Sequence, residues 1–341
     1  MKKMITIRTS NISFLLANKT MIVLINLLII QIVLFWLSLS LGKTFDPLTS
    51  LKVLLGQGSM KDNLSIVQLR MPRVIIASLI GSALAVSGAI LQGMIKNALA
   101  SPNVIGISGG ASVAAISYIT LLPTASIQYL PLAAFAGALI NGIIIYLLAW
   151  KDGISPIRLV LIGIGMSAVS TAMTTMMMIM GPPHVASKSM IWLTGSIYGA
   201  SWTQVYTYLP WIVTFLPAGF ILLRSLNVTQ LGDDIAIGVG SPLQKQRIIF
   251  FLIAVALAGS AIAIGGTIAF VGLMAPHIAR KLVGSTFGSV LPTSALLGSI
   301  IVMLADLIGR TAFQPISIPV GVFTSAIGAP FFIYLLLKKT R

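Results

Sequence analysis

Apolar residues dominate residues 20–41, 72–94, 103–122, 130–150, 157–180, 203–223, 246–264, 267–284, 290–309 and 319–337, and polar residues collect between these runs. A bilayer core about 30 Å thick needs roughly 20 apolar residues in helical form, because lipid offers the backbone no hydrogen-bond partners. Each run therefore predicts one crossing, and the chain reads as an all-α polytopic membrane protein: a single transmembrane domain over residues 1–341 with about ten helices. The runs at 103–122 and 267–284 are the shortest and the richest in glycine. Residues 189–200, SMIWLTGSIYGA, are apolar but interrupted by Gly195 and Gly199, which predicts a short external helix ahead of the sixth crossing. The run at 20–41 is too long for the core of a signal peptide and lacks a small-residue cleavage pattern, so it is kept as the first membrane helix.

Composition sharpens this picture. Of 341 residues, 57% are hydrophobic and 8% charged, against about 25% charged in soluble domains. The formal net charge is +16, glutamate is absent, and the acids are Asp46, Asp62, Asp152, Asp233, Asp234 and Asp306. In a soluble protein such a balance would suggest nucleic acid, but here lysine and arginine at helix ends set topology and meet anionic lipid. With the N-terminus inside, the cytoplasmic segments hold roughly twice as many cations as the external ones, and an even number of crossings places both termini in the cytoplasm. There is no cysteine, hence no disulfide and no thiolate metal site. Glycine-rich stretches such as GSALAVSGAILQG (81–93) and GSAIAIGG (259–266) suit close helix packing in lipid. No Gly-x-x-x-x-Gly-Lys-Ser/Thr loop is present, so the chain does not carry a conventional ATPase site.

Two segments look built for the aqueous phase. The external one, residues 42–73, ends QLRMPR, with Arg70 and Arg73 flanking Pro72 at a helix start. Proline is at home in a first helical turn, whereas cations there are mildly unfavourable, so the arginines answer to an acidic partner or to lipid phosphate. The other, residues 224–247 (RSLNVTQLGDDIAIGVGSPLQKQR), spaces Leu231, Ile235, Ile237 and Val239 as a short amphipathic helix lying outside the membrane. In the stretch GGTIAFVGLMAPHIAR (265–280), Gly265 and Gly266 allow a tight reversal, Pro276 is expected to break the eighth helix near its inner end, and Arg280 marks the cytoplasmic face. His277 has neither a nearby acid nor a second histidine on its side of the membrane, which leaves it no catalytic or metal role.

RMPR, SGAILQGMIKNALASP, QLGDDIAIGVG, GGTIAFVGLMAPHIAR, LPTSALLGSIIVMLADLIGR and IPVGVFTSAIGAPFFIYLLL together resemble the iron-siderophore and cobalamin permease family (FecCD type), the membrane subunits of type II ABC importers. The likeness runs from about residue 65 to the C-terminus, in the family's order. It implies a bacterial plasma-membrane permease that imports a ferric siderophore, hydroxamate type favoured. It further implies a second, homologous permease subunit, two ATP-binding subunits carrying ATP and Mg, and an extracytoplasmic substrate-binding protein; this chain binds no cofactor and no nucleic acid. Cobalamin and haem are the alternatives within the family.

By the same resemblance, Leu231, Gly232, Asp233, Ala236, Gly238 and Gly240 belong to the helix that docks on the ATPase, within a coupling loop at about 225–246. Arg70, Arg73 and Arg310 match external positions that receive acids of the binding protein; for Arg310 a local ion pair with Asp306, four residues earlier, is the competing reading. The fifth helices of two subunits flank the family's pathway, which implies a lining role for Gly163, Ser167, Ser170 and Thr174, spaced i, i+4, i+7 and i+11 along one face. The outer half of that helix is methionine-rich, an adaptable surface for a bulky ligand. Two positions depart from the family pattern: Ala98 replaces the proline of Asn-Pro-Leu-Ala, and Ser317 replaces the glutamate of Pro-x-Glu. An ion-coupled secondary transporter would need intramembrane charge at midplane, for which Asp306 is the sole candidate. An intramembrane enzyme would need a nucleophile, base and acid in one cluster, and none is present.

Overall fold

A computed structural model describes residues 4–8, 13–41, 46–151 and 153–339; Lys2, Lys3, Lys43, Asp152 and Arg341 lie outside the described residues. Each of the ten expected stretches is a helix: α1 Asn18–Ser40, α4 Met71–Ile95, α5 Ile107–Leu121, α6 Leu130–Ala149, α7 Pro156–Met180, α9 Trp202–Ile221, α12 Leu243–Gly265, α13 Val271–Val283, α14 Phe287–Thr311 and α15 Val320–Lys339. Between them lie the shorter helices α2 Pro47–Leu54, α3 Met60–Asn63, α8 Pro183–Leu193, α10 Leu223–Thr229 and α11 Asp233–Gly238. An antiparallel ribbon, β1 Met4–Arg8 with β2 Ser13–Ala17, precedes α1 and was not expected.

By length and apolarity α1, α4, α6, α7, α12 and α14 suffice to cross a bilayer, and α9 with α10, bent by 50°, makes a seventh if taken as one span. Of the rest of the ten, α5 and α13 are the shortest. At 1.5 Å per residue α5 and α13 reach only about 20 Å, so each covers part of the membrane and leaves irregular backbone beside it. The eighth span was expected from 267, yet α13 starts at Val271, because Gly266 and Phe270 adopt positive φ (69° and 65°) and hold 267–269 out of the helix. Conversely, α13 continues through Pro276 to Val283, so the expected break does not occur. The external helix expected at 189–200 lies earlier, as α8, since Gly195 and Gly199 turn the chain at φ 76° and 75°. Much of the external loop is helical too: α2, capped by Asp46 through the Thr49 amide, then α3 and a π-helical turn, Leu64–Arg70, that runs directly into α4.

At the centre of the core lie α4 and α12, apolar all round and mostly buried, as expected of helices enclosed by other helices. Small residues set their spacing: a Cβ on Gly81 would sit 2.1 Å from the Gly298 carbonyl oxygen of α14, and one on Gly88 would sit 1.8 Å from that of Gly272 in α13. These backbones touch, which is how lipid-embedded helices gain contact without a solvent-driven force. At the rim, α1 turns Ile22, Ile25, Ile29 and Ile32 outward along one face, and α7 is similarly uncovered along Ile157, Leu161, Ile164, Met176 and Met180.

Candidate functional site

Three regions hold the expected residues. The first is the α10–α12 segment. Gly232 (φ 116°) and Gly240 (φ 77°) frame α11 in the left-handed region, where a Cβ is strained. Gly238, expected to serve the same purpose, has an ordinary φ and open space around it. Leu231, Ile235, Ile237 and Val239 are exposed, whereas Ala236 is fully buried and anchors the helix to the body. Asp233 opens α11 and is held twice: Lys96 Nζ donates to its Oδ1 at 2.6 Å and Arg247 Nη2 to its Oδ2 at 2.8 Å. Partial burial pushes this carboxyl up, but the two cationic donors outweigh it and hold it below the usual carboxylate range. Gln230 reinforces the attachment through the Gly93 carbonyl at 2.8 Å.

Between α5, α7, α8, the irregular 267–269 segment and α15 lies a cavity of about 830 Å³. Ser167, Ser170 and Thr174 of the expected stripe line it, together with Met178, Met190 and Ser325. Gly163 does not line it; it lets α7 press on the chain before α5, where a Cβ would stand 2.6 Å from the Ile105 carbonyl oxygen. Ser167, Thr171, Thr174 and Thr175 each donate to the carbonyl four residues earlier on α7, so their hydroxyls are satisfied without a ligand. No charged side chain belongs to the lining.

The three arginines meet at the N-terminal end of α4, the end expected to face outward, bordering a depression of about 230 Å³ with Ser65, Leu69 and Val74. Their guanidinium groups are engaged inside the chain. Arg73 clasps Asp306, Nε to Oδ1 at 2.9 Å and Nη2 to Oδ1 at 2.8 Å, and its Nη2 also donates to Ser317 Oγ at 3.3 Å. Arg310 approaches Asp306 only to 3.8 Å and donates instead to the Leu41 carbonyl at 2.8 Å and to that of Ser38. Arg70 donates to the Leu39 carbonyl at 2.6 Å. Two guanidiniums thus cap the open carbonyls at the end of α1, where the helix dipole favours cations. The local pairing read from sequence, Arg310 with Asp306, is the weaker contact; Arg73, distant in sequence, is the main partner. Ser317, at the family's glutamate position, adds a hydroxyl to that cluster.

Elsewhere, Arg280 donates to Gln92 Oε1 at 2.6 Å and ties α13 to α4, while the His277 ring meets Phe331 edge-on and its Nε2 is buried without a partner among the described residues. At the other departure, Asn97 Oδ1 accepts from the Leu99 amide at 2.9 Å and closes the turn that carries Ala98. The described residues contain no group of three histidine, aspartate, glutamate or cysteine side chains placed to hold a metal ion.

Residues 28–338 match the FecCD transport family. The chain is 48% identical to the probable siderophore transport system permease protein YfhA of Bacillus subtilis, covering 94% of this chain and 96% of that protein. Against the achromobactin transport system permease protein CbrC of Dickeya dadantii it is 47% identical, with 89% and 87% covered. Against the iron(3+)-hydroxamate import system permease protein FhuG of B. subtilis it is 41% identical, with 94% and 98% covered. Among solved structures, a chain assigned as an inward-facing metal-chelate type ABC transporter superimposes with a TM-score of 0.83 at 26% identity, covering 93% of this chain and 99% of that one.

Proposed function

The chain belongs to the FecCD transport family and is a multi-pass permease subunit of a type II ABC importer, not itself an enzyme; on that premise we propose that it carries ferric siderophores across the membrane, hydroxamate complexes first among them. The observation that carries this reading is the 830 Å³ cavity, bulky enough for a metal chelate, walled by hydroxyls already satisfied by backbone and by mobile thioethers. Such a wall offers contact without a strong grip, which lets a ligand leave as well as enter. A ferric trihydroxamate is neutral, Fe³⁺ balancing three singly charged ligands, and suits a lining without charge. Ferric citrate stands as the second reading, because the chain is also 42% identical to the Fe(3+)-citrate import system permease protein YfmE.

In the proposed cycle, a loaded binding protein docks at the depression of Arg70, Arg73 and Arg310, a second permease completes the pathway along α7, and two ATP-binding subunits seat on the apolar face of α11. ATP binding and hydrolysis then bias the pair between outward-open and inward-open states, a rigid-body switch. Both termini lie in the cytoplasm in this arrangement. Ion coupling is disfavoured because Asp306 is locked to Arg73 and does not line the cavity. The test is ATP-dependent uptake of labelled ferric siderophores by the reconstituted complex, wild type against Ser170→Trp. Uptake should be blocked while the ATPase subunits remain attached, and normal uptake by the variant would move the pathway off α7.

A further inference from the structure

Asp233 is joined to more of the protein than a docking helix requires. Lys96, one of its partners, terminates α4 in the left-handed conformation (φ 58°), so its side chain projects from the very end of the core helix. Arg247, the other, sits one turn into α12 with only 3% of its surface exposed, and its second amino group donates to the Ile154 carbonyl at 2.8 Å. Gln244 returns the contact, accepting from the Ile154 amide at 3.0 Å. Ile154 lies in the turn between α6 and α7, two residues ahead of the helix that lines the cavity.

A single carboxylate therefore gathers the start of α11, the inner end of α4, the first turn of α12 and, through Arg247, the root of α7. The rest of α11 is weakly held. It is six residues long, its apolar side chains point outward, and Ala236 is its one buried residue. A helix this short has little stability of its own, so its orientation comes from its attachments. Asp233 is the charged route by which motion at its outer face enters the body, beside the Gln230 contact to Gly93 and the buried Ala236 side chain.

We infer that Asp233 is the positioning residue of coupling: its clasp by Lys96 and Arg247 makes α11 move as one body with the inner end of α4 and the root of α7, so that displacement of the ATPase reaches the cavity wall. The inference rests on the reading of α11 as the ATPase-docking helix. It assigns Lys96 and Arg247, basic residues that topology alone would account for as inside-facing cations, a mechanical role.

The experiment uses the complete reconstituted complex and measures ferric siderophore uptake per ATP hydrolysed. Lys96→Met removes one arm of the clasp from a half-exposed position and leaves the α11 surface intact, so the ATPase subunits stay bound and hydrolysis continues while uptake per ATP falls fivefold or more, roughly the size of a 1 kcal/mol loss of coupling. Asp233→Asn reproduces the fall, and Asp233→Glu, which keeps the charge facing both Lys96 and Arg247, recovers most of it. A role in stability alone would lower the amount of assembled complex without changing uptake per ATP. Wild-type uptake per ATP in both Lys96→Met and Asp233→Asn overturns the inference. The underlying reading has a separate control: if Leu231→Asp with Ile237→Asp leaves the ATPase attached and uptake normal, α11 is not the docking helix at all.

Discussion

Two clusters of the same make-up sit at opposite ends of α4. At its N-terminal end, outer on the proposed topology, Asp306 lies between Arg73 and Arg310; at its C-terminal, inner end Asp233 lies between Lys96 and Arg247. Their burial separates them, for Asp306 is 2% exposed and Asp233 41%. A charge shut away from water depends on its partners for its existence there, whereas one at the surface exchanges a partner for solvent at little cost. The outer cluster also caps the end of α1, joining three long helices, so it belongs to the rigid scaffold on which a binding protein would sit. The inner cluster fastens a short helix that, on the proposed reading, transmits movement. One composition thus serves as a fixture at one end and as a linkage at the other.

The largest expected effect breaks the outer fixture. Asp306→Ala leaves Arg73 half-buried without its carboxylate and should destabilise the protein by about 3–5 kcal/mol, read as a lower unfolding temperature in detergent. Asp233→Ala should cost less, about 1–3 kcal/mol by the same measurement, because Lys96 returns to water while the buried Arg247 keeps the Ile154 carbonyl. Equal losses would mean that burial does not distinguish the two clusters.

The next effect separates fixture from docking. The pair Arg73→Met with Asp306→Asn removes the closest ion pair together and leaves Arg310 with its two carbonyls at the end of α1, so part of the lost stability should return. If the outer arginines also receive acids of a binding protein, this double variant should nonetheless lose much of its association with that protein, measured by surface capture of the loaded binding protein on reconstituted complex. Full association would assign Arg73 to the scaffold alone and leave docking to Arg70 and Arg310.

How these clusters could be foreseen differs as well. The ten helices were legible because a membrane span writes its length and apolarity directly into the chain, and the core glycines were legible as close packing for the same reason. The Arg310 contact with Asp306 followed from helical spacing, but the stronger Arg73 contact joins α4 to α14, and no local pattern reports a pairing across 233 residues. Asp233 was expected in the docking helix, while its partners had been counted only as cytoplasmic cations. Ser170 and Thr174 of the stripe line the cavity; Gly163 shares their face and meets backbone instead, because the chain before α5 crosses α7 at that level. Helix boundaries shifted where a positive φ intervened, as at Gly106, Gly195, Gly266 and Phe270, and of these the phenylalanine carried no signal that could have revealed it.

A smaller effect tests the frame of the inner linkage. Gly240→Ala forces a Cβ into φ 77° and should cost about 1–2 kcal/mol locally, while Gly238→Ala, with ordinary φ and open space, should be neutral or slightly stabilising in its short helix. Hydrogen exchange across 231–241 reports the difference directly: faster exchange in the Gly240 variant and unchanged or slower exchange in the Gly238 variant. Equal behaviour of the two would remove the backbone argument for this turn.

The smallest effects are those of solvent conditions, and they reach the inner cluster first. Asp233 titrates below the usual carboxylate range in the folded protein, so its contribution is fully present above the unfolded value of about 3.9 and is lost only as pH falls through the depressed folded value. Between pH 5 and 8 the clasp should therefore keep its charge, and any change in coupling there has to arise on another group. Salt acts at neutral pH. At 1 M ionic strength the Debye length is about 3 Å, short enough to weaken contacts of the half-exposed Asp233 but not those of the buried Asp306. Uptake per ATP should thus decline modestly with added salt in the wild type and decline less in Lys96→Met, which keeps only the Arg247 arm. The unfolding temperature, to which the buried outer cluster contributes more than the inner one, should not follow it. A parallel decline in both quantities would show that the two clusters respond as one network and that their difference in burial has no functional consequence.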